Sequence, residues 1–525
     1  MNLIRMLIAA SLAAGLLSAP ARAHAAPEIT TRTHAAAAPV YVVTSREAFA
    51  GVATLASDAQ DWTDRLGRQL VVAQLDRAGI AALVRHVHEV EHRCGGFFAF
   101  GSRPEAEAFI ASDRSHEAMH LPLGGLYTID NPATVGPWLD SVSEGNLYDT
   151  IATLSAFHNR YYESTHGRDA ALWIRDRWQA LAHGRSDVQV DLFEGCTSCS
   201  TQPSVIMTVQ GNAYADEVVV IGGHLDSVNW NQPYDVNMRA PGADDDASGI
   251  ATITEIIRIA LANGWKPQRT VQFMGYAAEE VGLLGSKAIA ASHEAAGIDV
   301  VGVLQLDMTN YADGAPVDLR IVTDNSNPAL VAWFGELFDE YLAPRGFTRG
   351  AMTCGYGCSD HAAWTQKGYP AGMVFEAGRP PSSPADMAAF PYIHTANDTL
   401  ANMGHSTLNS VPFAQFGLAF LGELAKTHDP GSFNMPPVAA FTWQASGLSV
   451  QFTDASNDLG GTIVAHAWDF GDGSTSTLAN PGKTFATADT HLVTLTVTDD
   501  GGLTDTIAAS IDLVDERIFG DGFEA

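Results

Sequence analysis

The sequence predicts an α/β protein built on a largely parallel sheet, followed by a small β-sandwich. Three observations carry this reading. From about Tyr127 to Asp429, short β-rich runs alternate with helical stretches. Within that region Ile250, Ile253, Ile257 and Leu261 repeat at helical spacing. Past Pro430 the pattern turns to alternating Thr, Val and Phe with Gly-Asp-Gly turns and no helical period.

Taken in order, the first residues read as an export signal. Arg5 gives a positive start, Met6 to Leu17 is apolar but too short to span a bilayer, and small residues offer cleavage at Ala21-Arg22-Ala23 or Ala23-His24-Ala25. Residues 1–23 are therefore assigned as signal and 24–126 as a propeptide, with a turn-rich boundary at Leu121-Pro122-Leu123-Gly124-Gly125. The main domain, 127–430, has predicted strands at Glu217–Gly223, Thr270–Met274, Val300–Leu306, Leu319–Thr323 and Met373–Phe375. A helix is expected over Ala247–Ala262, capped by Asp246 and ended by Gly264. Residues 436–515 form the sandwich and 516–525 an aromatic, acidic tail.

The chain has 525 residues, a net charge of −31 and 46% hydrophobic residues, which describes an acidic globular protein of two or three units. Such a surface repels nucleic acid and anionic membranes, and neither is expected as a partner. Five cysteines in an exported chain make disulfides plausible and leave at least one thiol unpaired within the chain. Cys354 and Cys358 flank a glycine-flexed loop able to bring two sulfurs together. Cys196 and Cys199 could be half of a zinc knuckle, but no second pair stands at suitable spacing.

The chemistry lies in His224, Asp244, Glu279-Glu280, Asp307 and His394, which occur in that order. Sites in open α/β sheets form outside the carboxyl ends of strands, and His224, Glu279, Glu280 and Asp307 each follow a predicted strand. Buried acids need a counter-charge, and zinc suits a mixture of carboxylates and imidazoles. Singly, each residue has an ordinary alternative: a core histidine, a helix-capping aspartate, a surface acid pair, a strand end. Their order and placement argue for a shared centre.

The motifs His224-Leu225-Asp226, Pro241 to Gly249, Ala277 to Leu283, Leu306 to Thr309 and Ile393-His394-Thr395 resemble those of the secreted M28 aminopeptidases, most closely the bacterial leucyl type with two zinc ions. The resemblance implies a three-layer α/β/α exopeptidase core and two Zn²⁺ per subunit. It places one zinc on His224 and Asp307 and another on Glu280 and His394. Asp244 would bridge them, Glu279 would be the general base, and Asp226 would orient His224. It implies a Cys354–Cys358 disulfide, a Tyr356 hydroxyl that polarises the scissile carbonyl, and an apolar pocket of Met308, Ile321, Met373, Phe375 and Ile393. The substrates implied are peptides with a free, leucine-like N-terminus, cleaved outside the cell by a monomeric enzyme. Trp468 to Gly473 and Val493 to Asp499 resemble PKD domains, either a spacer or a module for polymers or surfaces.

Other readings remain open at this stage. An M28-like core could serve a carboxypeptidase or glutaminyl cyclase, or the zinc site could be structural in a binding protein. His88-Glu89-Val90-Glu91-His92 fits H-E-x-x-H, the signature of an unrelated zinc protease class. The expected helix stops almost at once at Cys94-Gly95-Gly96, and no third ligand follows nearby, so an amphipathic propeptide helix is preferred.

Overall fold

The computed structural model describes residues 39–91, 95–121, 125–312, 314–377, 390–427, 437–458, 462–500 and 502–513. The signal segment and the tail lie outside these residues, as do His92, Cys94 and residues 378–389. Among the described residues, no helix is long and apolar enough to cross a membrane.

Strands β1 (Val40–Ser45), β2 (Ser57–Thr63), β3 (Gln69–Leu75) and β4 (Phe97–Phe100) form an antiparallel sheet in the order β2-β3-β1-β4. Its inner strands are apolar on both faces because each face is covered. Val42, Val71, Ala73 and Phe97 meet Ile80, Leu83, Val84 and Val87 of the Arg77–Glu89 helix. Val43, Val72, Phe98 and Phe100 meet Phe109 and Ile110 of the Arg103–Ala111 helix.

The main sheet has eight strands: β5 (Val188–Phe193), β6 (Ser204–Val209), β7 (Tyr214–His224), β8 (Arg269–Tyr276), β9 (Asp299–Leu306), β10 (Leu319–Val322), β11 (Arg349–Met352) and β12 (Ala371–Glu376). Their order is β11-β10-β12-β9-β7-β8-β6-β5. The central β12-β9-β7-β8 run is parallel, whereas β5, β6 and β10 pair antiparallel with a neighbour, so the sheet is mixed. All five strands expected from the sequence are present. The edge strands β5 and β11, and β6 beside β5, were not foreseen.

Side chains alternate across the pleat. Val219 and Ile221 face Ile250, Ile253 and Ile257, while Val218 and Val220 face Ile289, Ala290 and Trp364. Helices therefore cover both faces, giving three layers. The Ala247–Ala262 helix forms where expected, and the Asp246 carboxylate caps it by accepting from Gly249 N at 2.7 Å. It lies against the Val411–Ala425 helix, whose Gly417 permits the contact: a Cβ there would sit 2.3 Å from Ile256 Cδ1. Each fully buried isoleucine on this face contributes about 1.5–3 kcal/mol.

Parallel β7, β8 and β9 end on one rim. His224 closes β7, Asp307 directly follows β9, and Glu279-Glu280 come three residues after β8 ends at Tyr276. Residues Phe441 to Asp512 form two antiparallel sheets of three and four strands around Phe452, Trp468, Phe470 and Leu495. Trp468 is buried there and donates its indole N–H to Leu478 O at 2.9 Å.

Candidate metal centre

The rim gathers two imidazoles and a group of buried acids. His224 Nε2 lies 2.9 Å from Asp245 Oδ1 and 3.6 Å from Asp307 Oδ1. His394 Nε2 lies 2.8 Å from Asp245 Oδ2 and 2.7 Å from Glu280 Oε2. One carboxylate, that of Asp245, thus presents an oxygen to each histidine. The Asp245–Asp246 peptide is cis.

The residue placed between the histidines differs from the sequence expectation. Asp244 turns away: its Oδ1 accepts from Asn310 N at 3.1 Å, and its carboxyl faces Glu376. Asp398 holds this turn by accepting from Asp244 N at 2.8 Å and Asp245 N at 3.1 Å. In a run of three aspartates, spacing alone does not say which one faces the rim; the backbone bonds do. Asp246, although near His224 and Asp307, has its oxygens taken by N–H groups of His224, Gly249 and Met308.

Asp226, Asp307 and Glu279 gather around the same histidines. Asp226 lies 3.3 Å from His224 Nδ1 and accepts from Glu279 N at 2.9 Å and Glu280 N at 3.2 Å, so it fixes the ring and the two glutamates together. Asp307 accepts from Ser359 Oγ at 2.5 Å. Glu279 is buried beside Glu280, Asp307 and Asp360. Burial, reinforced by Asp360 and Glu280, raises its pKa well above the usual range.

Electrostatics show how strongly the cluster calls for cations. Burial raises Glu280 to about 7, although His394 opposes the shift. Burial works against charge on His394 as well, yet Glu280 and Asp245 raise it to about 10. Burial opposes ionisation of Asp245 too, but His394 and His224 together hold it well below the usual carboxylate range.

Arg160, unnoticed in the sequence, lies buried beneath these loops. It donates to Leu225 O at 3.0 Å, Pro241 O at 2.5 Å and Gly242 O at 2.8 Å. It ties the His224 loop to the aspartate loop and adds a positive charge under the acids. No local motif marks it. Asp398, four residues after His394, could have been suspected from its spacing alone.

The residues fit divalent metal. Asp245, Glu280 and His394 offer ligand atoms within 4.8 Å of one another, as do His224 and Asp307 with the neighbouring Asp246. Bonds of about 2.0–2.1 Å at tetrahedral angles put zinc ligands roughly 3.3 Å apart, inside the spread of separations observed. Glu280 Oε1 is buried with no hydrogen-bond partner among the described residues.

Met308, Met373, Phe375 and Ile393 cluster with the Cys354–Cys358 disulfide, joined by Val322. Ile321, expected in this pocket, belongs to the opposite face with Leu319, because a one-residue step along β10 reverses the side chain. Cys196 and Cys199 also form a disulfide, which ends the knuckle reading. Tyr356 packs edge-on against Phe98 with ring centroids 5.6 Å apart and lies 5.1 Å below the Arg68 guanidinium. Its ring is therefore covered by the N-terminal sheet, and burial raises its hydroxyl pKa.

Among the described residues, none of the H-E-x-x-H segment falls in a group of ligand atoms. The helix ends at Glu89, and His92 lies outside the described residues. His88 instead stands against His394, ring centroids 4.4 Å apart at 68°. Burial, then the charge on His394, holds His88 well below its ordinary pKa, with Asp245 opposing.

Comparison with known proteins agrees with this architecture. The description "Peptidase family M28" matches residues 204–417, and "PKD domain" matches 434–513. A probable leucine aminopeptidase 1 of Trichophyton verrucosum is 35% identical over 313 residues, spanning 57% of this chain and 79% of the relative. The crystal structure of the Legionella pneumophila LapA aminopeptidase aligns with TM-score 0.62 at 25% identity, over 75% of this chain and 100% of that one. That of LapB from the same organism aligns with TM-score 0.60 at 25% identity, over 74% and 99%. The rim of acids and imidazoles thus sits in a known enzyme architecture: the chain belongs to peptidase family M28 and carries a C-terminal PKD domain.

Proposed function

We propose that this protein is an exported aminopeptidase that removes hydrophobic, leucine-like residues from peptide N-termini, using two zinc ions. The observation that supports it most is the Asp245 carboxylate, set between His224 Nε2 and His394 Nε2 at 2.9 and 2.8 Å. His224 and Asp307 would hold one ion, Glu280 and His394 the other, and Asp245 both. Bound there, zinc would supply Lewis acidity toward the scissile carbonyl and lower the pKa of the attacking water.

The chain's own groups do the rest. Glu279 takes the proton of the attacking water and passes it to the leaving amine. Asp226 keeps the His224 ring turned, with Nδ1 directed away from the metal position. The acids of the rim attract the substrate's α-ammonium group. Met308, Met373, Phe375 and Ile393 receive its side chain, and a pocket of this kind separates chains by about 1–3 kcal/mol per methylene, so preference is graded. Tyr356 is the candidate to polarise the carbonyl once the N-terminal sheet has moved off it.

A carboxypeptidase would need a cation free to hold the substrate carboxylate. Arg160, buried beneath the rim, directs its donors to backbone carbonyls instead. The signal segment supports export, and the sandwich is proposed to attach the enzyme to polymeric substrate or surfaces. Hydrolysis of leucine-p-nitroanilide by the purified protein, abolished by chelator and restored by zinc, is expected. Cleavage of internal bonds in casein without cleavage of this amide would contradict the proposal.

A further inference from the structure

We infer that Asp398 is a positioning residue for the reaction: it fastens the His394 loop to the aspartate loop and so sets the spacing between His394 and the shared Asp245 carboxylate. The inference rests on the metal reading above and adds to it a residue placed behind the ligands.

The loop that carries Asp245 is gripped by this one residue. Three consecutive backbone N–H groups converge on it: Ala243 N donates to Asp398 O at 3.3 Å, Asp244 N to Oδ1 at 2.8 Å and Asp245 N to Oδ2 at 3.1 Å. Asp398 is buried, and so are the three residues it binds. A buried N–H left without an acceptor is costly, and an ionised carboxylate accepts on both oxygens, so one aspartate serves two successive amides at once. Asparagine offers one oxygen and would set an amide N–H against the second donor.

The other end of this strut is the His394 loop. Asp398 N donates to Thr395 O at 3.3 Å, closing a turn directly after His394. His394 itself has φ 55°, in the left-handed region, where a residue with a side chain stays only when its surroundings hold it. The turn holds it on one side. On the other, Trp230 N donates to His394 O at 3.0 Å. With the backbone so fixed, His394 Nε2 stands 2.8 Å from Asp245 Oδ2.

The carbonyl side of the aspartate loop is held from below by Arg160, which donates to Pro241 O at 2.5 Å, Gly242 O at 2.8 Å and Asp245 O at 3.4 Å. Gly242 makes room for it: φ is 52°, and a Cβ there would lie 2.7 Å from Arg160 Nη2. The loop is thus clamped by an anion on its N–H groups and a cation on its carbonyls. Burial lowers the Arg160 pKa, and Asp398 leads the acids that oppose the shift. His224 and Asp307 are set by other partners, Asp226 beside Nδ1 and Ser359 Oγ on the carboxylate. Asp398 therefore acts chiefly on the Glu280–His394 position.

The test uses the full chain as wild type, Asp398→Asn, Asp398→Glu and Asn397→Ala, the last changing an exposed neighbour, with His394→Ala as the reference for loss of one position. Equilibrium dialysis with zinc reads the two affinities, and the visible spectrum after cobalt substitution reads ligand geometry. Both Asp398 variants are expected to hold the ion that His394→Ala retains as wild type does, and to bind the other about 10- to 100-fold more weakly. The cobalt spectrum changes for that second ion alone, kcat falls with KM within about two-fold, and Asn397→Ala matches wild type. Wild-type affinity at both positions, or equal weakening of both, would overturn the inference. Amide exchange in metal-free wild type gives a reading that needs no variant: slow exchange at residues 243–245 is expected, and fast exchange there would overturn the strut even if neither Asp398 variant folds. Failure of the metal reading is distinct, since wild type itself would then bind no zinc and show no chelator-sensitive hydrolysis.

Discussion

The eight-stranded core and the N-terminal four-stranded unit meet over one rim and handle charge in opposite ways. In the N-terminal unit, ion pairs such as Arg46–Asp61 and Arg103–Asp58 lie in solvent, where each contributes little. In the core, Asp226, Asp244, Asp245, Glu279, Glu280, Asp307 and Asp360 are all buried around two histidines. A fold tolerates so many enclosed acids only where cations compensate them, and Arg160 is the fixed cation the chain provides. The contrast locates function: the core carries the chemistry, and the N-terminal unit contributes one inward imidazole, His88.

The sharpest way to break the comparison is to neutralise the shared carboxylate. Asp245→Ala is expected to lose both metals, measured by metal analysis after gel filtration, and with them all measurable hydrolysis. Its neighbour Asp244→Asn should keep both metals and lose about 10- to 100-fold in activity, as for a residue that supports ligands from behind. Equal metal loss in the two variants would return the bridging role to the aspartate run as a whole.

Next in size is the base. Glu279→Gln should lower kcat about 10²- to 10⁴-fold with metal content unchanged. Loss of metal in that variant would make Glu279 a ligand instead. Arg160→Met tests the fixed cation: removing one member of a buried charged network costs about 3–5 kcal/mol, read as a lower urea midpoint. An unchanged midpoint would show that the acids are balanced without it.

The last prediction, small per pH unit, concerns the fastening of the N-terminal sheet. Burial lowers Lys287 to about 7, against about 10.4 for a free lysine. Between these values the unfolded chain binds more protons than the folded one, so stability rises with pH across that window, by up to about 1.4 kcal/mol per unit. The penalty of the buried ammonium is fully present below pH 7. Lys287→Met should flatten this slope in thermal melts from pH 7 to 10, and an unaltered slope would place the titration elsewhere.

Much of this was legible in the sequence because hydrophobic period and strand-end chemistry are local. Val218 to Ile221 and the isoleucines of the Ala247–Ala262 helix announce their faces, and His224, Glu279, Glu280 and Asp307 lie at or just past strand ends. What was hidden depends on partners far along the chain. Asp245 rather than Asp244 faces the rim because Asp398 and Asn310 bind the adjacent groups. Ile321 and Val322 exchange places because strand phase is set by pairing with β11 and β12. Arg160 ties the rim loops together mainly through carbonyls more than 60 residues away. His88 belongs to a short motif whose local reading suggests another enzyme class, and only tertiary docking sets its ring against that of His394.

The central claim, a pair of metals straddling one aspartate, is tested most directly by an anomalous difference map collected at the zinc edge on crystals grown with zinc. The account predicts two peaks, one on each side of the Asp245 carboxylate, with His224 and Asp307 at one and Glu280 and His394 at the other. A single peak, or peaks placed on Asp244 or Asp246, would contradict it.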